Sequence, residues 1–393
     1  MQNIFRAANI LLPKRDFETF VSLACDQFTS DVSYWDGRYR AVGGAPSAMK
    51  LIFPEAYLAE ERGPRLDAIE KNSRRYLESG VFEEYPDSFI LTERVLTTGG
   101  TRRGLVGVID LEAYDYERDA PVAASERTVA ERLPARREVR ERQSVETSHV
   151  LALIDDRERG IIESADETKF EKLYDFALPS DAGTLRGWRV TGDSAAALSR
   201  KIDALPGGTK IIIGDGNHSL AAAKTLWEQI KPTLGAAERE THPLRFALAE
   251  LCNVYDRGVE FFPIHRAAFG ADSDALTAAV YSAVGGQGDY EIGISSKSGA
   301  TFFRCYEKPL GEIIARVENA LEILAAEVDY IHDEFELSVL VMSGKAAGVY
   351  MPAMSKSDFF ETVRKSGVFP KKSFSIGHAL DKRFCLECRR LAL

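Results

Sequence analysis

The residues best suited to chemistry in this chain are Asp215, His218 and Ser219, set around two glycines in the stretch KIIIGDGNHSLAAAKTLWEQIK, residues 210–231. An aspartate can act as a base or hold a metal ion, a histidine can give or take a proton near neutral pH, and a serine hydroxyl can donate a hydrogen bond. Gly214 and Gly216 let the backbone come close to a ligand. Ile211, Ile212 and Ile213 read as a short strand, and Ala223, Leu226, Trp227 and Ile230 recur at helical spacing. The expectation is a strand, a glycine loop and a helix with Ser219 as its N-cap. Such a junction directs backbone N–H groups and the positive end of the helix dipole at one place, which favours an anion such as phosphate. Gly214, Gly216, Asn217 and Ser219 would form the cradle. The same letters also make a plain turn, with Asp215 and Asn217 bonded to backbone and His218 serving as a backbone partner. No lysine directly follows the second glycine, so this is not a Walker A loop, and it is not G-x-G-x-x-G.

Other stretches carry candidate groups. Residues 125–142 hold the densest arginine cluster of an acidic chain, interleaved with glutamates and interrupted by Pro134. It reads either as a self-paired, solvated helix or as a set of planar guanidinium forks suited to phosphate. On the second reading Glu126, Thr128, Arg132, Arg136 and Arg140 contribute to the anion site. Glu250 sits inside the apolar run RFALAELCNVY, where a carboxylate is costly unless it is paired or functional, so it joins Asp215 and His218 as a catalytic candidate. Asp155, at the end of the apolar run before it, is with Asp215 a candidate metal ligand, although adjacent carboxylates there also make turns. Asp26 and Gln27 lie in a polar, aromatic segment that reads as a pocket lining or as a cap and turn. His265 and Arg266 follow FFPI and are candidates for a ligand-facing edge, where a histidine at a strand end also serves a structural role.

These groups need a scaffold, and 393 residues suffice for two domains. Residues 88–111 read as a hairpin turning at Gly99-Gly100, 58–84 as mostly helix, EKLYDFAL as helix, and LRGWRV as a strand followed by a helix. From about Gly270 onward the pattern is a second α/β lobe. The expected division is a core of 1–268 and a smaller lobe of 269–393. A net charge of −10 and a pI near 5.3 argue against a nucleic-acid surface. Five scattered cysteines fit reduced thiols better than a disulfide framework, and neither a long apolar span nor a leader pattern stands out. The expectation is a cytoplasmic protein without a membrane segment.

The string GDGNHSLAAAK resembles the central motif of the DUF1015 family of prokaryotic proteins. Stretches in the same order resemble it along nearly the whole chain: ILLPKRD, ACDQFTSDVSYW, LIFPEAYL, GLVGVIDLEAYDY, SERTVAERLPARREVRE, LIDD, KLYDF, THPLRFALAELCNVYD, FFPIHR and KSFSIGHALDKRFCLECR. Within that family the loop more often reads Asp-Gly-His-His-Arg, and Asn217 and Ser219 place this chain in an Asn-His-Ser branch. The resemblance makes Glu55 a substrate-site candidate. More weakly, the Asp-Gly-x-His loop is similar to the phosphate loop of the ParB and sulfiredoxin-like fold, which includes a kinase of free serine. That likeness implies a mixed α/β fold with a phosphate-binding core. It also implies phosphoryl transfer or phosphate-ester hydrolysis on a small metabolite, serine or phosphoserine first, with magnesium and ADP or ATP as the cofactors to consider. A non-catalytic sensor of a nucleotide or phosphorylated effector is the alternative, and a ParB-like nucleic-acid binder is disfavoured by the charge. A homodimer would suit an acidic two-lobed enzyme.

Overall fold

The computed structural model describes residues 3–58, 62–130, 133–147 and 150–391. The chain is mixed α/β and divides into two compact units, 1–124 with 128–259 and 377–393, and 125–127 with 260–376. The boundary therefore differs from the expected 268/269. The strand that begins at His265 belongs to the second unit, while the tail after Ile376 returns to the first.

The first unit contains α1 (Val32–Val42), α2 (Arg62–Glu78), α3 (Leu133–Arg142), α4 (Gly192–Asp203) and α5 (Asn217–Ile230). Its principal strands are β1 (Ala8–Pro13), β2 (Phe82–Val95), β3 (Thr101–Asp110), β4 (Val122–Ala124), β5 (Val150–Ile154), β6 (Ile211–Asp215) and β7 (Phe246–Asn253). Among the described residues its main sheet has thirteen strands, with β4, β6, β5, β7, β3, β2 and β1 side by side in that order. The β2–β3 hairpin turns at Gly99, whose φ is 81°, as the Gly-Gly pair requires. Glu171–Ala177, expected as helix, is a strand paired with Thr184–Val190. Its partner decides this, because Gly187 has no Cβ to collide with the Tyr174 ring that lies over it.

Period-two alternation gives this sheet two apolar faces. Leu105, Ala249 and Leu251 point to the side covered by α4 and α5, where Leu198, Ile202, Leu220, Ala223 and Trp227 complete one core. Val106, Val108 and Leu248 point the other way, to Trp35, Leu66, Ile69 and Tyr76 of α1 and α2. Each large apolar side chain buried on α5 stabilises the junction by about 1.5–3 kcal/mol. The alanine pair Ala221 and Ala222 lets Leu133 of α3 pack closely on a second side of α5.

The second unit holds β8 (His265–Phe269), β9 (Glu291–Ser296), β10 (Gly299–Arg304), β11 (Glu327–Ile331) and β12 (Ala346–Tyr350), with α6 (Ser273–Val284), α7 (Leu310–Ile323), α8 (Glu334–Met342) and α9 (Lys356–Ser366). Its antiparallel sheet runs β10, β9, β12, β8, β11, which leaves β10 and β11 as edges. No helix among the described residues is long and apolar enough to cross a membrane.

Candidate functional site

The glycine junction differs from simple alternation at one residue. Ile211 and Ile213 pack in the core under α4 and α5, and strict alternation would send Asp215 there as well. Pairing with β5 instead skips Gly214, so that Ile213 stands opposite Ala152 and Asp215 opposite Leu151. This bulge turns Asp215 to the other face of the sheet, where Glu250 stands opposite Leu151 from the far side. Gly216 then adopts φ 85°, a left-handed conformation that glycine reaches without strain, and caps α5. The cap is Gly216 and not Ser219, because the helix begins at Asn217 and both Ser219 and Leu220 donate to the Gly216 carbonyl.

Asp215 accepts the Gly216 N–H at 2.9 Å and pairs with Lys382 Nζ at 3.2 Å. Burial raises its carboxyl above the usual aspartate range; Lys382 opposes the rise and Asp26 adds to it. Asp26 and Asp215 therefore lie close enough to feel each other's charge. Lys382 is held by the tail around it. Arg94 donates to the carbonyls of Leu380 and Lys382, Arg102 donates to Asp381 O at 2.9 Å, and Thr97 gives both its N–H and its hydroxyl to the Asp381 carboxylate at 2.8 Å. The sequence does not single out Lys382, which reads there as one cation in a basic tail.

His218 Nε2 accepts the Val129 N–H at 3.2 Å, so the neutral ring carries its proton on Nδ1. The imidazole thereby ties the segment after Thr128 to the loop, and the Thr128 hydroxyl is buried without a hydrogen-bond partner. Ser219, in the first turn of α5, faces a cavity of about 90 Å³ whose wall includes Cys25, Glu55, Arg136 and Arg140. Glu55 and Arg136 form an ion pair there, and Glu55 N–H donates to Cys25 O at 2.8 Å, next to Asp26. Gln27 is bonded through Nε2 to the Asp26 carboxylate. Residues from four separate stretches thus gather around the junction: Asp26 and Gln27, Glu55, Arg136, and Asp215 to Ser219.

Other candidates have different surroundings. Arg140 lines the cavity, but its guanidinium is committed to buried Glu146 and to Phe246 O. Glu250 is only 2% exposed, accepts from Thr92 Oγ1 at 2.6 Å, and lies 3.4 Å from Arg383 and 3.8 Å from Arg102. Burial pushes its carboxyl up, but Arg383, Arg102 and the Thr92 bond outweigh that and hold it below the usual glutamate range. The Glu250 carboxylate is thus paired inside a buried cluster. Asp155 follows the end of β5 opposite Ile211, about 13 Å along the strand from Asp215 at 3.3 Å per residue, so the two cannot share an ion. It instead accepts from Tyr255 OH at 3.1 Å.

Glu126 lies in the second unit, where its carboxylate accepts the Ser373 N–H at 3.2 Å. His265 and Arg266 are buried in the same unit. His265 Nδ1 accepts the Met351 N–H, and Arg266 pairs with Glu318 at 2.7 Å. Arg132 lies outside the described residues. Pro134 falls in the first turn of α3 as described, a position that tolerates it. Among the described residues there is no group of three or more His, Cys, Asp or Glu able to hold a metal ion.

The fold is that of a mixed α/β protein in two compact units, with a glycine junction built into the larger one. The family described as "Protein of unknown function (DUF1015)" matches residues 6–330, and the chain belongs to that family. No curated protein matches it. Among solved structures it is similar to a free serine kinase in complex with AMP, at 12% identity, over 72% of this chain and 91% of that one, with a TM-score of 0.40. It is also similar to a conserved hypothetical protein from Pyrococcus furiosus, at 11% identity, 69% and 89% coverage and a TM-score of 0.36. A third is SbnI with C-terminal truncation from Staphylococcus aureus, at 10% identity, 69% and 82% coverage and a TM-score of 0.38.

Proposed function

We propose that this chain is a phosphoryl-transfer enzyme acting on a small metabolite at the Gly214–Ser219 junction. The observation that supports this reading is the meeting of the Asp215 carboxylate and the Lys382 ammonium, 3.2 Å apart, at the N-terminus of α5. Phosphoryl transfer asks a protein mainly for positioning and for charge stabilisation. The helix dipole and Lys382 supply positive charge for a phosphate. Asp215, raised by burial, is a better proton acceptor than an exposed aspartate.

In the transfer direction Asp215 takes the proton of the acceptor hydroxyl. The hydroxyl oxygen forms its bond to phosphorus as the bond from phosphorus to the leaving phosphate oxygen breaks, and the electron pair leaves with that oxygen. His218 holds the Val129 segment in place and is not the nucleophile, since Nε2 is engaged by a backbone N–H. Asp26 offers the hard oxygen donor that magnesium takes, and the ion would draw its remaining ligands from phosphate and water. Bound there, magnesium would neutralise phosphate charge.

The likeness of the loop to that of a fold containing a kinase of free serine makes serine with ADP or ATP the first pair to try. The test is phosphorus NMR of the purified protein with magnesium, serine and either nucleotide, and separately with phosphoserine. A new phosphomonoester, or release of phosphate from phosphoserine, that disappears in Asp215→Asn supports the reading. No phosphorus exchange in any mixture overturns it for serine, and extending the acceptors to other small hydroxyl metabolites without result overturns it altogether.

A further inference from the structure

The α8 sequence EFELSVLVM has more apolar faces than its own unit covers. Leu337 and Val341 are buried against Ala267, Ile331 and Ala346. At about 100° per residue, Phe335, Val339 and Met342 fall within about 60° of one another on a separate stripe. They are 74%, 52% and 65% exposed. An open groove of about 530 Å³ meets the stripe at Phe335, and Phe302 of the edge strand β10, which also lines it, is 59% exposed. Phe335 lines this groove together with Phe302, and Val339 and Met342 continue the exposed apolar stripe along α8, which water does not favour.

The charges around the patch indicate what covers it. Asp333 and Glu334 lie at the N-terminal end of the groove. Past the other end of α8 stand the exposed Lys345 and, beside Gly344, Lys297. A surface that is acidic at one end, basic at the other and apolar between is complementary to itself turned end over end. We infer that a second copy of this chain docks here, with the two α8 helices antiparallel about a two-fold axis. Phe335 then meets Met342 of the partner subunit, Val339 lies near its own counterpart, and the Asp333–Glu334 end faces Lys345 of the partner subunit. Residue i meeting j while j meets i is the mark of an isologous contact. The acidic end of the groove disfavours an anionic lipid surface.

Sedimentation of the full chain over a range of concentrations tests this. The wild type is expected to sediment as a dimer, and Val339→Asp is expected to weaken association by at least about tenfold. Glu334→Lys and Lys345→Glu are each expected to weaken it, and the pair combined to restore it, an outcome that misfolding does not produce. Val339→Cys is expected to give a disulfide-linked dimer on mild oxidation, whereas Ile323→Cys, 74% exposed on α7, is not. A wild type that stays monomeric at every concentration overturns the inference. So does a dimer indifferent to Val339→Asp and to both charge reversals, including the case in which the patch instead captures a different protein.

Discussion

Lys382 Nζ stands 3.2 Å from Asp215 Oδ2, so the tail of the chain completes the charge at a loop that precedes it by the whole second unit. Removing the ammonium in Lys382→Met takes away the group that holds the Asp215 carboxyl down against burial. If Asp215 accepts the substrate proton, it must be ionised to work. The acid limb of the kcat/KM profile is therefore expected to move to higher pH in this variant, and rate–pH measurements on the two proteins check it.

Glu250→Gln is expected to damage stability rather than binding at the loop. The folded Glu250 titrates below the usual 4.5, so its stabilisation is present above that value and is lost as pH falls through the lower folded value. Breaking the buried cluster is expected to cost about 3–5 kcal/mol near neutral pH. The gap to the wild type is expected to narrow as the solution is acidified below the ordinary glutamate range. Denaturant unfolding at stepped pH measures both.

His218→Ala leaves the Val129 N–H without its acceptor, a loss of about 1–3 kcal/mol. Turnover is expected to fall but persist, and His218→Gln, which keeps an acceptor, is expected to recover part of the stability. Complete loss of turnover in both variants, with the fold intact, would instead make His218 a direct participant in the chemistry, as acid, base or nucleophile.

Gly216→Ala forces an L side chain to φ 85° at the head of α5. The strain is expected to cost about 1–2 kcal/mol and to loosen any ligand held by the first turn. Chemical denaturation and ligand titration of the same variant separate the two effects.

The strand, loop and helix around Asp215 are legible in the sequence because β-branched residues, glycines and a helical apolar spacing are local signals. So are the Gly99-Gly100 hairpin and the buried strand through Glu250. The bulge at Gly214 is not, since it depends on which residue of β5 each residue of β6 meets. Ser219 looks like a cap because serine often is one, yet the left-handed Gly216 starts the helix earlier. Lys382 and Arg383 are hidden for a different reason. Their partners Asp215 and Glu250 are brought to them by the return of the tail to the first unit, which nothing in the adjacent letters announces. His265 and Arg266 read as a ligand-facing edge but are consumed by Met351 and Glu318 within the second unit.

The most direct test of the junction as a phosphate site is thermal unfolding of the wild type, Asp215→Asn and Lys382→Met with phosphate, pyrophosphate, ADP, ATP, serine and phosphoserine, each with and without magnesium. A ligand that binds the native state raises its melting point. The expected result is a rise with at least one phosphate-bearing compound in the wild type, kept in Asp215→Asn, which loses the base and not the positive charge, and reduced in Lys382→Met. A wild type that responds to none of them, or a Lys382→Met variant that responds as fully as the wild type, would contradict a phosphate site at this loop.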